Sequence, residues 1–262
     1  MTQDIPRWPI KSADDLPPAV MVQIAALATR SHAAGGPLMQ MVNFAGGRLE
    51  GWLESLPDTA KEVIEDKTRQ ALHLCYDTAG TPSLRRAMAA TKGNTHQWGA
   101  ALSGAVGGVA GLGSALVELP ATITLIFGSI QQVAAEYGFD PNCDETRVDC
   151  LKVFASGGPL AGDDGVDTSF LSARLVVNGA SLHALIARIA PRFATVLSQK
   201  LAAQTVPILG ALAGAGINYA FMGYYREMAH VRFALKRLAL DHGPEAVAQA
   251  FATQSRSLAR SG

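Results

Sequence analysis

The chain has 262 residues and equal numbers of basic and acidic side chains, 22 of each, so its formal net charge is zero. Apolar content of 48% with only 17% charged residues excludes intrinsic disorder over most of the length, and the missing basic excess excludes a general nucleic-acid binder. A chain of this size makes one large domain or at most two small ones.

The opening stretch MTQDIPRWPIKSADDLPP carries acids and prolines and lacks the short apolar core of a secretory signal. Pro17 and Pro18 then open a helix predicted to run to about Ser31, with Val20, Ile24 and Leu27 on one face. A second helix is expected from about Leu38 to Leu56. Ser55-Leu56-Pro57-Asp58 is a stop-and-restart signal with a serine cap and an acid three residues on. The third helix is predicted to turn Ala60, Val63, Ile64, Ala71, Leu74 and Cys75 inward, with Glu62, Glu65, Asp66, Lys67 and Arg69 on its wet side.

Composition changes after Lys92. Gly99–Val117 is packed with Gly and Ala, Ala121–Ala135 is uncharged and apolar, and a third uncharged run spans Leu201–Tyr225. Between them the pattern gives a short polar helix near Asp144–Ala155, a Gly/Asp-rich loop at Ser156–Asp167 and a helix of about Thr168–Ala190. The tail reads as amphipathic helices, Arg226–Leu240 and, after the Gly243-Pro244 break, about Glu245–Leu258. Clean period-2 alternation is hard to find, so the expected fold class is all-α, a multi-helix bundle with closely packed Gly/Ala-rich core helices. The expected division is a helical lead-in over residues 1–92 packing on a Gly-rich helical domain over 93–258.

The Gly-rich runs have two readings. They approach the roughly 20 apolar residues needed to cross a bilayer, with Trp98, Tyr224 and Tyr225 placed for its interfaces and Gly104/Gly108 and Gly210/Gly214 spaced for close helix approach. Alternatively they are core helices of a soluble bundle, which suits Pro120, Gln131, Gln132, Gln204 and Asn218 better than lipid does. Each strong apolar residue contributes only about half a kcal/mol of insertion, so full spanning is marginal.

Catalytic signatures are scarce. There is no H-E-x-x-H, G-x-S-x-G or phosphate-binding glycine loop, and the six histidines are scattered with no i, i+3 or i+4 ligand pair. Three cysteines, Cys75, Cys143 and Cys150, form no C-x-x-C pair, which suits a reducing compartment and cytoplasmic residence. Glu118 interrupts a neutral stretch and reads either as a perturbed acid or as an ordinary helix-end charge. Asn218, inside the third apolar run, reads either as a ligand contact or as an interhelical hydrogen bond. In the tail, Arg226, His230 and Arg237 fall near one face, with Arg232 and Lys236 an i, i+4 pair beside it. This basic helix is either a grip for anionic headgroups or the solvated side of a packed helix.

Two long blocks resemble one family. ALVELPATITLIFGSIQQVAAEYGFD, Ala115 to Asp140, is similar to the block of EcsC-family proteins in which a proline-containing start leads to an A-x-E-Y-G-F-D ending. The run Val206 to Leu240 resembles the family's second block through Pro207, Gly210, Gly214, Asn218, Ala229, Phe233 and Arg237. The chain departs at Gly223-Tyr224-Tyr225, where members carry Asp-His-Phe, and at Arg232, where they carry histidine. The resemblance implies an all-helical, membrane-associated protein of undefined biochemical activity, related to transport or secretion.

The functional expectation is a non-enzymatic accessory protein on the cytoplasmic side of a membrane, using Trp98, Tyr224, Tyr225, Arg226, Arg232, Lys236 and Arg237 as membrane contacts. Its expected partners are an anionic membrane surface or a membrane transporter complex, with self-association left open. The alternative is a soluble helical pocket protein or enzyme acting on an apolar, lipid-like ligand around Glu118 and Asn218. No nucleic acid, cofactor or metal ion is expected on either reading.

Overall fold

The computed structural model describes residues 12–34, 58–78, 112–154, 182–191, 193–194 and 210–261. Among these it is all-α. A 3-10 turn, Ala13–Asp15, leads into α1, Pro18–Ala33. Helix α2 is Asp58–Thr78, α3 Leu112–Glu136 and α4 Asp144–Phe154. A helical segment at 182–191 precedes α5, Gly210–His242, and α6, Pro244–Ser261. The second predicted helix, the 99–111 stretch with its Gly104/Gly108 pair and the Gly/Asp loop lie outside the described residues.

Helix ends follow from local chemistry. Pro18 occupies the first position of α1, where its missing N–H costs nothing, and the Pro17 carbonyl accepts from the Val20 N–H at 2.9 Å. At the far end of α3 the Phe139 N–H donates to the Ala134 carbonyl (3.0 Å) and the Gly138 N–H to that of Ala135 (3.0 Å). This pair of hydrogen bonds requires a left-handed residue, which Gly138 supplies at φ 81°. The Asp140 carboxylate then accepts from the Asn142 N–H at 2.9 Å and turns the chain toward α4. Gly243, at φ 95°, ends α5 in the same conformation, and Pro244 opens α6 immediately after it.

Two expected boundaries and one buried face changed. Pro120 lies inside α3, and the apolar run ending near Tyr225 continues without a break into the basic tail, so that α5 is one helix of 33 residues. That is about 50 Å at 1.5 Å per residue. In α2 the buried stripe is Ile64, Thr68, Ala71, Leu72, Cys75 and Tyr76, while Val63 and Leu74 are 44% and 52% exposed. The helix is rotated toward its aromatic end, because Tyr76 needs the core more than Val63 does. Thr68 is tolerated inside because its hydroxyl donates to the Ile64 carbonyl at 2.6 Å.

Helix α5 is the spine. It packs against α3, α4, α6 and α1, while α2 lies on α3 and α4, and α1 lies along α6. One apolar core joins α1 and α2 to α3, α4, α5, α6 and residues 182–194. At the start of α1, the Ala13 N–H donates to the Gln249 side chain of α6 at 3.4 Å. At its other end Arg30 forms a two-pronged pair with Glu227 of α5.

A methyl group built on Gly138 meets nothing within 4 Å. Gly138→Ala therefore carries only the conformational cost of positive φ, and chemical denaturation should show a loss of about 1–2 kcal/mol. Gly138→Asn should lose less than Gly138→Ala, because Asn adopts the left-handed region more readily.

Candidate functional site

The densest set of ionisable groups lies between α4 and α5. Asp149 of α4 is buried and receives Lys152 Nζ at 3.2 Å from its own helix, and Arg232 Nη2 at 3.8 Å and Lys236 Nζ from α5. Lys236 also bonds Glu145 at 2.7 Å, and its ammonium lies 5.1 Å from the centre of the Phe139 ring. Burial works against the Asp149 charge, but Arg232, Lys236 and Lys152 outweigh it and hold the carboxyl below its ordinary pKa. Lys236 loses to burial and gains more from Asp149 and Glu145, so its pKa rises. Lys152 goes the other way, lowered by burial and by the neighbouring cations Arg232 and Lys236. One carboxylate is shared by three cations, and Lys152 is the least favoured of them.

A second cluster lies where α1 crosses α5. His230 Nδ1 is 3.3 Å from the Tyr137 hydroxyl, one turn from the Arg30–Glu227 pair. Burial, then the positive charges of Arg30 and Arg226, push His230 down to about 4 against the opposing pull of Glu227. Burial opposes ionisation of Glu227, but its hydrogen bond and charge interaction with Arg30 hold its pKa below the ordinary value. The arrangement makes a neutral imidazole beside a tightly held ion pair, with Tyr137 raised by burial and thus kept as a phenol.

The expected membrane contacts are not presented as one basic surface. Arg232 is only 4% exposed and lies against Asp149, because the counter-charge comes from α4, which no pattern within the tail could reveal. Tyr225 is fully buried, with ring contacts to Phe154 (5.3 Å), Phe193 (5.6 Å) and Tyr224 (5.2 Å), and Tyr224 is buried beside it. Those two rings are core, not interfacial anchors. Lys236 is committed to Asp149 and Glu145, and exposed Arg237 sits 3.7 Å from Asp241 one turn on. Arg226 is half-buried near Glu227 and His230. Glu118 falls within α3 and Asn218 within α5, but their side chains, like all of Trp98, lie outside the described residues.

Burial pushes the Cys75 thiol up to about 11, with a partial offset from its 3.5 Å bond to Thr124, and raises Cys150 further. Neither is a ready nucleophile at neutral pH. Among the described residues no group of three or more His, Cys, Asp or Glu side chains is placed to hold a metal ion. Tyr225 is different in kind, since among the described residues its buried hydroxyl has no hydrogen-bond partner, and desolvation keeps it firmly protonated.

Two outcomes follow. Asp149→Asn leaves three cations gathered around a neutral amide and should cost about 3–5 kcal/mol by urea denaturation, whereas exposed Glu145→Gln should stay within about 0.5. For His230, the unfolded chain takes up its proton near the ordinary 6.5 and the folded protein only at about 4. The unfolded state thus binds more protons between these values, so stability is complete above about 6.5 and falls as pH drops toward 4. His73, also lowered, acts in the same direction. The check is the difference between wild type and His230→Gln in urea midpoints at pH 7, 5.5 and 4.5, where the wild type should decline more steeply.

Neither a curated protein nor a solved structure matches the chain. The model of the EcsC protein family matches residues 39–238. That range contains α2, α3, α4 and nearly all of α5, the first block of sequence resemblance, all but the last two residues of the second and the whole Asp149 cluster, and the chain belongs to the EcsC family.

Proposed function

We propose that this chain is a non-enzymatic accessory protein that works at the cytoplasmic face of a membrane without crossing it, in support of transport or secretion. The observation that carries this reading is the outward face of α1. Ala19, Val22, Ala26, Thr29 and Ala33 recur at helical spacing and are all exposed, Val22 by 70%. The Thr29 hydroxyl donates to the Ala25 carbonyl at 3.0 Å, which leaves its methyl outward. Arg30 is the one formal charge in α1, and it is tied to Glu227. An uncharged stripe of this kind suits shallow insertion among lipid headgroups.

Electrostatic support comes from α6, which packs along α1. Arg256 and Arg260 are exposed near its end. They replace Arg232 and Lys236 as the headgroup-facing cations. Among the described residues no helix is long and apolar enough to span a bilayer, which fits attachment from one side.

A second reading rests on Tyr225. A buried hydroxyl beside Phe154, Phe193 and Tyr224, without a hydrogen-bond partner among the described residues, is the polar point an apolar ligand with one acceptor would meet.

Flotation with vesicles containing phosphatidylserine tests the first reading. Wild type should float at low salt and less at high salt, and Val22→Glu/Ala26→Glu should abolish it. Arg256→Gln/Arg260→Gln should weaken binding by up to roughly thirtyfold, at about 1 kcal/mol for each basic group. Failure of the wild type to float overturns the proposal, and a lipid retained by detergent-free protein in native mass spectrometry would then favour the Tyr225 reading.

A further inference from the structure

The layer made by α1 and α6 changes charge from one end to the other. On α6, Glu245, Gln249, Thr253, Arg256 and Arg260 recur at spacings of three and four, so they share one face, and all five are exposed. The Gln249 side chain accepts from the Ala13 N–H just ahead of α1, which sets this stripe beside the start of α1. From there α1 runs to Arg30, which meets Glu227 of α5, while α6 leaves the Gly243 reversal at the end of α5 and lies along α1. The two helices therefore point the same way.

We propose that this layer docks on an anionic lipid surface end-first, with the far half of the α1 stripe (Ala26, Thr29 and Ala33) and the α6 cations Arg256 and Arg260 at the headgroups, and the acidic end held away. The inference rests on the membrane reading above and assigns which end of the layer makes the contact.

Charge complementarity is the argument. At the starting end Asp14 and Asp15 precede α1 and Glu245 lies in the first turn of α6, and all three are exposed. At the far end the outward stripe of α1 is uncharged and α6 adds two exposed guanidinium groups. Helix termini carry only about half a unit charge each, of opposite sign to these side chains, so the side chains set the polarity of each end. Glu245 and Arg260 stand about 22 Å apart along α6 at 1.5 Å per residue. The field of an anionic membrane decays over about 8 Å at physiological salt. A layer lying flat would hold its carboxylates in that field as closely as its guanidinium groups. Tilting the acidic end outward keeps the attraction and removes the repulsion.

Nitroxide quenching on vesicles of phosphatidylcholine and phosphatidylserine tests the orientation. Ala19→Cys, Ala26→Cys and Ala33→Cys, all at exposed positions, each carry an environment-sensitive fluorophore in a Cys143→Ser background whose remaining thiols are buried. A lipid with a headgroup nitroxide should quench the label at position 33 most, at 26 less and at 19 least. Adding Asp14→Asn/Asp15→Asn/Glu245→Gln should bring the three values together, because nothing then opposes flat docking. Equal quenching at the three positions without those substitutions, strongest quenching at 19, or an order that the triple substitution leaves unchanged overturns the proposal. Failure of the wild type to float overturns the membrane reading and this inference with it, whereas flotation with even quenching overturns this inference alone.

Discussion

Asp149 sits between α4 and α5 with a guanidinium and two ammonium groups gathered around it, and the register of those two helices depends on it. A buried arginine is tolerated only where a counter-charge meets it, and among the described residues that counter-charge comes from α4. Turning α4 by a single residue would swing the carboxylate through about 100° and leave Arg232 and Lys236 facing Val148 or Cys150. The rest of the core inherits that register. With Asp149 in place, Phe154, five residues on and so about 1.4 turns further round α4, meets Phe127 of α3, Phe193 and Tyr225. The chain reversal at Gly138 likewise places Phe139 against Phe233 and beneath the Lys236 ammonium.

What could be read from the sequence is what neighbours in the chain decide. The entry of α1 at Pro18, the restart at Asp58 and the stop at Gly243 are each written within a few residues, and the structure places them there. The start of α4 at Asp144 was legible for the same reason. The misread features all depend on distant partners. Arg232 and Lys236 look like a solvent pair on their own helix, and only α4 reveals otherwise. Val63 and Leu74 fit the apolar stripe of α2, but Leu72 and Tyr76 win the core because α3 and α4 approach from that side. That the His73 and His183 rings meet is likewise invisible along the chain, because they lie on separate helices.

Both blocks of family resemblance contribute packed helices. Ala115 to Asp140 is most of α3 with its glycine stop and the aspartate turn that follows. Val206 to Leu240 contains nearly all of α5, and the two helices pack against each other. Of the positions quoted for the second block, Ala229 and Phe233 are fully buried. Their chemistry is that of small and aromatic core residues, which accounts for why the blocks identify a family without naming a reaction. The departures from the family pattern are architectural too. Tyr224, Tyr225 and Arg232 are buried here, the Tyr225 ring closed on Phe154, Phe193 and Tyr224 and the Arg232 guanidinium on Asp149.

The family match ends at residue 238 and begins at 39, so α1 and α6 both lie outside it. These two helices nevertheless pack on each other and on α5, and they are anchored by specific contacts. Ala246, Val247, Ala250 and Phe251 of α6 are buried, as are Val20, Ile24, Leu27 and Ala28 of α1. The Arg30–Glu227 pair and the neutral His230 beside it fix the crossing of α1 over the family's own helix. A layer attached this firmly by its inner side leaves its outer side unconstrained by packing. There the α1 stripe is uncharged, although nothing in the core requires it, since charged residues on that face would be solvated at no cost. The outer face of α2 shows the usual solution, with Glu62, Asp66, Lys67 and Arg69 all exposed. The contrast between these two helices, one charged outside and one not, is why the proposed membrane contact is assigned to α1 rather than to the basic tail of α5.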